Sequence, residues 1–248
     1  MNDLDTTRQA GNQAGGHIVP ADPLRSLGPA DRRLLRGAGL TGTVGSLLML
    51  ATFVFVGALG LPDPSAPETL LRFPEIQYAR AAEHLLYLAA LVLWAVHLEL
   101  LHRVLRVTAP VLSTAARTVG SLGSAVLTAN AVLNIATAPM SRAYQQAAEV
   151  DRPVVVLAWQ AAQGVMDALL VTGALLLPVA VVLFGIALCR GLSPVLGRGA
   201  VVVGTAGTAA VVVVIATSSP STLVAVSILG TLTFHLAAGI RWIRLSRR

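Results

Sequence analysis

The sequence contains no lysine, only one cysteine and few charged side chains, which make up 12% of its residues. The single cysteine, Cys189, excludes an intramolecular disulfide and any metal or iron–sulfur site built from several thiolates. Soluble domains contain about 25% charged residues. With 55% hydrophobic residues and a mean hydropathy of +0.73, the chain has more apolar surface than one water-soluble core of this size can bury. The composition therefore predicts an integral membrane protein.

Motifs of well-known membrane enzymes and transporters are also missing. The sequence has no Walker-type phosphate loop, no HExxH metal motif and no Gly-x-Ser-x-Gly nucleophile turn. It lacks the paired half-helices, broken by glycine and proline, that are typical of repeat-built transporters. We therefore expect no bound cofactor, and the pattern favours a protein without enzymatic activity.

Long apolar runs between Gly37 and Ile240 predict an all-α protein with six transmembrane helices. One span needs roughly 20 residues. The predicted spans cover about residues 37–61, 83–101, 118–137, 168–189, 199–217 and 222–240, with loops at 62–82 and 138–152. The preceding segment, residues 1–30, is polar and predicts a disordered tail, which leaves residues 31–248 as the transmembrane domain.

The apolar run from Pro153 to Cys189 is too long for one straight span and contains no turn signal. It is either one kinked helix or two helices. Gln160, Gln163 and Asp167 recur at near-helical spacing in its first part. This spacing predicts an amphipathic approach helix at 153–167 that leads into the fourth span.

The arginines alternate in density from one gap between spans to the next. Thirteen of the 18 lie in one set of gaps, which includes both ends of the transmembrane domain, and four lie in the other set. Translocated loops are poor in arginine, so the rich set and both termini are predicted to face the cytoplasm across the inner cell membrane. The net charge of +6 thus sits at membrane edges, and we expect no nucleic-acid partner.

Ionisable side chains inside a span are costly and are treated first as functional hypotheses. His97 and His235 fall at matched depth on the second and sixth spans, as a shared metal ion or a bis-histidine haem would require. Histidines bonded to neighbouring polar groups are the alternative. Glu99 and Arg117 lie at similar depth on adjacent helices and predict a structural ion pair. A proton relay through His97, Glu99 and His102 is the alternative there.

Two amides, Asn130 and Asn134, lie one turn apart in the middle of the third span. They are candidates, with His97 and Glu99, for binding a small ligand or lining a polar cavity. In membrane bundles such amides more often bond across to a neighbouring helix.

Four sequence features follow one another along the chain, each occurring once. They are an arginine-flanked opening helix from Arg36-Gly37 to Gly45, then Glu83-His84-Leu85-Leu86, then Arg117-x-x-Gly120, then the segment from Leu183 to Gly199 with Arg190, Pro194 and Arg198. This order resembles a family of small bacterial six-span membrane proteins of unknown function. The long N-terminal tail and the shortage of aromatics after the fourth span depart from that family. The resemblance implies the six-span topology and assigns no site.

Three functions remain open from the sequence. The first is a non-enzymatic membrane component or accessory subunit, surrounded by the lipid bilayer and paired with a second copy or another membrane protein. The second is a small-solute or proton-coupled permease that uses Asn130, Asn134, His97 and Glu99. The third is a haem- or metal-dependent membrane enzyme that uses His97 and His235.

Overall fold

The computed structural model describes residues 29–61, 67–134, 137–190, 192–217 and 223–247, and the predicted tail falls almost entirely outside these residues. Within them the chain is all-α. The helices are α1 (Pro29–Leu59), α2 (Pro67–Leu105), α3 (Pro110–Leu133), α4 (Thr137–Gln146), α5 (Arg152–Cys189), α6 (Pro194–Thr217) and α7 (Leu223–Ser246).

Six segments of the described chain are long and apolar enough to cross a membrane. Five of them are α1, α2, α5, α6 and α7, and the remaining segment joins α3 to the short α4. The predicted fold class, an all-α chain with six candidate spans, is confirmed.

The long helices form a closed ring. Contacts link α1 to α2, α2 to α3, α3 to α5, α5 to α6, α6 to α7 and α7 back to α1, while α7 also reaches α5 and α4 packs on α2 and α5. Consecutive members of the ring are antiparallel: on α1, for example, Gly37 faces Leu100 whereas Gly45 faces Trp94. Both ends of the described chain therefore lie at the same end of the bundle.

The two ends of the bundle differ in charge. The end that holds both described termini, which we call the arginine-rich end, carries Arg32, Arg33, Arg36, Arg103, Arg106, Arg117, Arg190, Arg198, Arg241, Arg244 and Arg247. The opposite end carries Arg72, Arg80, Arg142 and Arg152 together with Glu75, Glu83, Glu149 and Asp151. The alternation seen along the sequence thus becomes a difference between two surfaces.

Several predicted boundaries are wrong. The loop predicted at 62–82 is helical from Pro67 onward, because α2 buries Leu70 and Ile76 against the bundle. Most of the third span, predicted at 118–137, lies inside α3, which begins earlier, at Pro110, since proline suits the first turn of a helix. The loop predicted at 138–152 contains most of α4.

The ambiguous apolar run forms one helix, α5, so the predicted approach helix at 153–167 is its first part. Pro178 lies inside α5 and lacks the backbone N–H that would bond the carbonyl of Ala174 four residues earlier. Ser227 of α7 donates its hydroxyl to that carbonyl at 2.5 Å. A side chain from another helix therefore replaces the bond that the proline removes.

The same replacement occurs in α2. Pro74 lies inside that helix and leaves the carbonyl of Leu70 without its usual donor. The hydroxyl of Ser141 on α4 donates to this carbonyl at 2.8 Å. This bond fixes the short α4 on α2 and explains how α2 continues through a proline.

Two helix–helix contacts in the ring, α1 with α7 and α5 with α6, depend on glycines that let the backbones approach closely. A Cβ atom on Gly39 of α1 would lie 2.9 Å from the carbonyl oxygen of Gly239 on α7. A Cβ atom on Gly185 of α5 would lie 2.8 Å from the carbonyl oxygen of Gly197 on α6. Lipid provides no hydrophobic drive for helix pairing, so such close approach supplies the packing that holds these helices together.

Candidate functional site

The structure brings His97 of α2 and His235 of α7 into direct contact. Their ring centroids are 4.9 Å apart with an interplanar angle of 69°. Both side chains are fully buried. The two histidines that the sequence placed at equal depth thus form one buried pair beside α1.

Trp94, Gly42 and Phe234 also surround the pair, and sequence reasoning missed all three. The Trp94 ring stacks on His235 with centroids 4.6 Å apart and planes within 5°. A Cβ atom on Gly42 would overlap the His97 ring at Nδ1, so this glycine makes room for the imidazole. The i, i+3 spacing of Trp94 and His97 was a readable signal for a shared helix face. Gly42 lies on another helix and gave no such signal.

The hydrogen bonds of the two rings are incomplete. His97 Nδ1 lies 2.7 Å from the carbonyl oxygen of Ala38, and because a carbonyl only accepts, we assign the proton to Nδ1. His97 Nε2 and both ring nitrogens of His235 are buried with no partner among the described residues. A neutral imidazole always carries one N–H, so His235 buries a donor without an acceptor from the described chain.

The arrangement does not suit a haem held between the rings. A bis-histidine haem places the porphyrin between two axial imidazoles, whereas these rings contact each other edge to face. The described residues contain no group of three or more His, Cys, Asp and Glu side chains that could hold a metal ion. Two imidazoles alone leave zinc two ligands short of its usual four.

Glu99 lies on a different face of α2 and forms ion pairs at the arginine-rich end. Its Oε2 lies 2.6 Å from Arg117 Nε of α3, so the expected pair is present. Its Oε1 lies 2.9 Å from Arg103 Nε. Arg103 was not anticipated, although its i, i+4 spacing from Glu99 is a standard signal. Because all three side chains are partly exposed, the pairs contribute about 1 kcal/mol or less each.

The residues of the suggested proton relay are not brought together. His97 contacts α1 and α7, whereas Glu99 pairs with α3. His102 also faces α3, with Nδ1 3.2 Å from the Ser113 hydroxyl. The buried pair and the ionic cluster are therefore separate features of α2.

The two amides of α3 have different environments. Asn130 donates from Nδ2 to the carbonyl oxygen of Met166 on α5 at 2.7 Å, a bond between neighbouring helices. Asn134 donates to the carbonyl oxygen of Asn130 at 3.0 Å. Asn134 also borders an enclosed space of about 10 Å³ beside Arg80 and His84, which is about the volume that one water molecule needs. The two amides do not form a ligand-sized cavity together.

A larger open cleft lies at the arginine-rich end, between the end of α2 and the start of α3. It measures about 400 Å³. We call it the arginine cleft, and it is lined by Arg103, Arg106, Arg117, Glu99, His102, Leu34 and Val107. Sequence analysis named Glu99, His102 and Arg117 but did not expect this concave surface.

No family model, curated protein or solved structure matches the chain. The fold and the six candidate spans support a multi-pass α-helical membrane protein.

Proposed function

We propose that the chain is a non-enzymatic, multi-pass component of the inner cell membrane, with both ends in the cytoplasm. The outer faces of the spans support a lipid environment, since side chains such as Leu47, Val54 and Val202 point outward and are half exposed or more. The arginine-rich end supports the orientation, because arginines are retained on the cytoplasmic side.

The observation that carries the non-transporting assignment is the filled interior of the ring. Three polar side chains inside it are bonded to backbone carbonyls of neighbouring helices: Asn130 to α5, Ser227 to α5 and Ser46 to α7. Others, among them Ser124, Thr231 and His235, are buried without a hydrogen-bond partner among the described residues. The enclosed spaces beside Trp94 and beside Asn134 each measure about 10 Å³. A solute pathway needs a wider, continuous polar lining, so this arrangement supports a structural role.

The proposed partners are the lipid bilayer and either a second copy of the chain or another membrane protein. The chain's resemblance to small bacterial six-span proteins remains part of this proposal. Cross-linking in native membranes, followed by purification of the tagged full chain in mild detergent, tests for a partner. We expect a discrete complex larger than one chain. A chain that stays monomeric under these conditions contradicts the accessory role.

Reconstitution into liposomes tests the absence of transport. With a trapped pH-sensitive dye and an imposed pH gradient, we expect proton flux equal to that of protein-free liposomes. Flux above that background would contradict the non-transporting assignment.

A proton-coupled permease is the second candidate, and the buried histidine pair favours it. Incompletely bonded imidazoles inside a membrane bundle are costly unless they bind or transfer a proton. Under this alternative, liposomes show proton flux that is lost in His235→Phe and retained in the control Thr233→Ala. Thr233 lies on the same helix, is exposed, and bonds only within its own helix, to Leu229.

A further inference from the structure

The arginine cleft combines three guanidinium groups with one carboxylate. Glu99 accepts a hydrogen bond from Arg103 Nε at 2.9 Å and forms an ion pair with Arg117 Nε at 2.6 Å. Arg106 forms no ion pair with any carboxylate of the described residues. Three positive charges and one negative charge leave an excess of positive charge facing the open volume of the cleft.

Glu99 also determines how the guanidinium groups are presented. Because it holds Arg103 and Arg117 through Nε, the two terminal nitrogens of each remain available as donors to a ligand. Oε1 accepts a hydrogen bond from Arg103 and Oε2 lies 2.6 Å from Arg117 Nε, so the negative charge of Glu99 is largely compensated where an anion would enter. Guanidinium forks match the oxygens of a phosphate group in pairs, better than a single ammonium would.

The position of the cleft indicates which kind of phosphate compound it would bind. It lies where α2 ends and α3 begins, at the edge of two candidate spans. Leu34 and Val107 line it. Val107 is 83% exposed, and Val111 in the first turn of α3 is 79% exposed. An apolar surface next to a basic cleft at a membrane edge fits a molecule with a phosphate head and acyl chains.

We propose that the arginine cleft binds the head group of an anionic phospholipid, with Arg106, Arg103 and Arg117 donating to the phosphate oxygens. Arg106 forms no ion pair with a carboxylate of the described residues, so its guanidinium group is available to the phosphate. The acyl chains lie along the exposed apolar side chains of Val107 and Val111. This site goes beyond the proposed function and does not depend on it, because a transporter could hold the same lipid.

Calorimetric titration of the delipidated full chain in detergent tests the proposal. Three ligands are compared at equal ionic strength: short-chain phosphatidylglycerol, short-chain phosphatidylcholine and inorganic phosphate. We expect one phosphatidylglycerol per chain and much weaker binding of phosphatidylcholine. Equal affinity for the two lipids would overturn the proposal. Displacement of the lipid by an equal concentration of inorganic phosphate would identify free phosphate as the ligand and overturn the lipid assignment.

Two variants separate a defined site from general attraction to a basic surface. Arg106→Gln removes the unpaired guanidinium and leaves the Glu99 pairs intact; we expect phosphatidylglycerol to bind at least about tenfold more weakly. Arg198→Gln is the control, because Arg198 is exposed at the same end of the bundle and outside the cleft. We expect it to change affinity by less than about twofold. Equal losses in the two variants, with equal unfolding midpoints, would overturn the proposal.

Discussion

The hydroxyl of Ser227 is predicted to stabilise the bundle because of a proline on another helix. Pro178 removes the donor for the Ala174 carbonyl of α5, and Ser227 of α7 supplies a replacement at 2.5 Å. Ser227→Ala leaves this buried carbonyl without a partner from α7. An unsatisfied buried acceptor costs about 1–3 kcal/mol, and bonds between membrane helices average about 0.6 kcal/mol with a maximum near 1.7. We therefore expect a loss of about 1–1.5 kcal/mol in the free energy of unfolding.

A double-mutant cycle shows whether Pro178 is the reason that Ser227→Ala lowers the free energy of unfolding. Pro178→Ala restores a backbone N–H that can bond Ala174 within α5. In the Pro178→Ala background, Ser227→Ala should then lower the free energy of unfolding by less than about 0.5 kcal/mol. The coupling energy between the two positions is thus expected to be about 1 kcal/mol. Thr233→Ala is the matched control on α7, since its exposed hydroxyl bonds only within its own helix.

Tryptophan fluorescence during unfolding in mixed detergent micelles is a suitable assay. Trp94, Trp159 and Trp242 are each no more than 1% exposed, so their emission should change on unfolding. The reasoning is refuted if Ser227→Ala costs the same with and without Pro178, or no more than Thr233→Ala does.

Four further substitutions can be measured in the same assay. Gly42→Ala should destabilise the chain by about 1–3 kcal/mol, because its Cβ would overlap the His97 ring; Gly57→Ala, with nothing within 4 Å of the added carbon, should instead stabilise by up to about 1 kcal/mol. Equal effects at the two glycines would argue against the packing of His97. Glu99→Gln should cost less than about 1 kcal/mol, since its ion pairs are partly exposed, and a larger loss would mean that the pairs are better shielded. Asn130→Leu should cost about 1 kcal/mol, the value of one bond between helices, and no loss would indicate that this bond is not formed.

The number of candidate spans was predictable because apolar length depends on local composition alone. The beginning of α2 was missed because its first half is rich in charge, with Arg72, Glu75, Arg80 and Glu83 close together. The structure pairs these charges three residues apart, at 3.8 Å for the first pair and 2.7 Å for the second. Such pairs allow a helix to continue through a polar segment.

The histidine pair was predictable only in part. Residue counting gave the matched depth of His97 and His235, but their contact requires α2 and α7 to approach each other beside α1. Gly42 leaves room for the His97 ring, and Gly39 and Gly239 bring the backbones of α1 and α7 together. Helix neighbours follow from such three-dimensional packing, which one sequence does not specify. The partner of Ser227 could not be predicted for the same reason.

Labelling of single cysteines in intact cells tests the central claim, that the chain crosses the inner membrane six times with its arginine-rich end in the cytoplasm. In a Cys189→Ser background, Thr108→Cys places a thiol between α2 and α3, and Glu149→Cys places one between α4 and α5; both positions are exposed. A membrane-impermeant maleimide that reaches the periplasm should label the thiol at position 149 in intact cells and the thiol at position 108 only after permeabilisation. Labelling of position 108 in intact cells would contradict the orientation. Equal accessibility of both positions would contradict the crossing pattern itself.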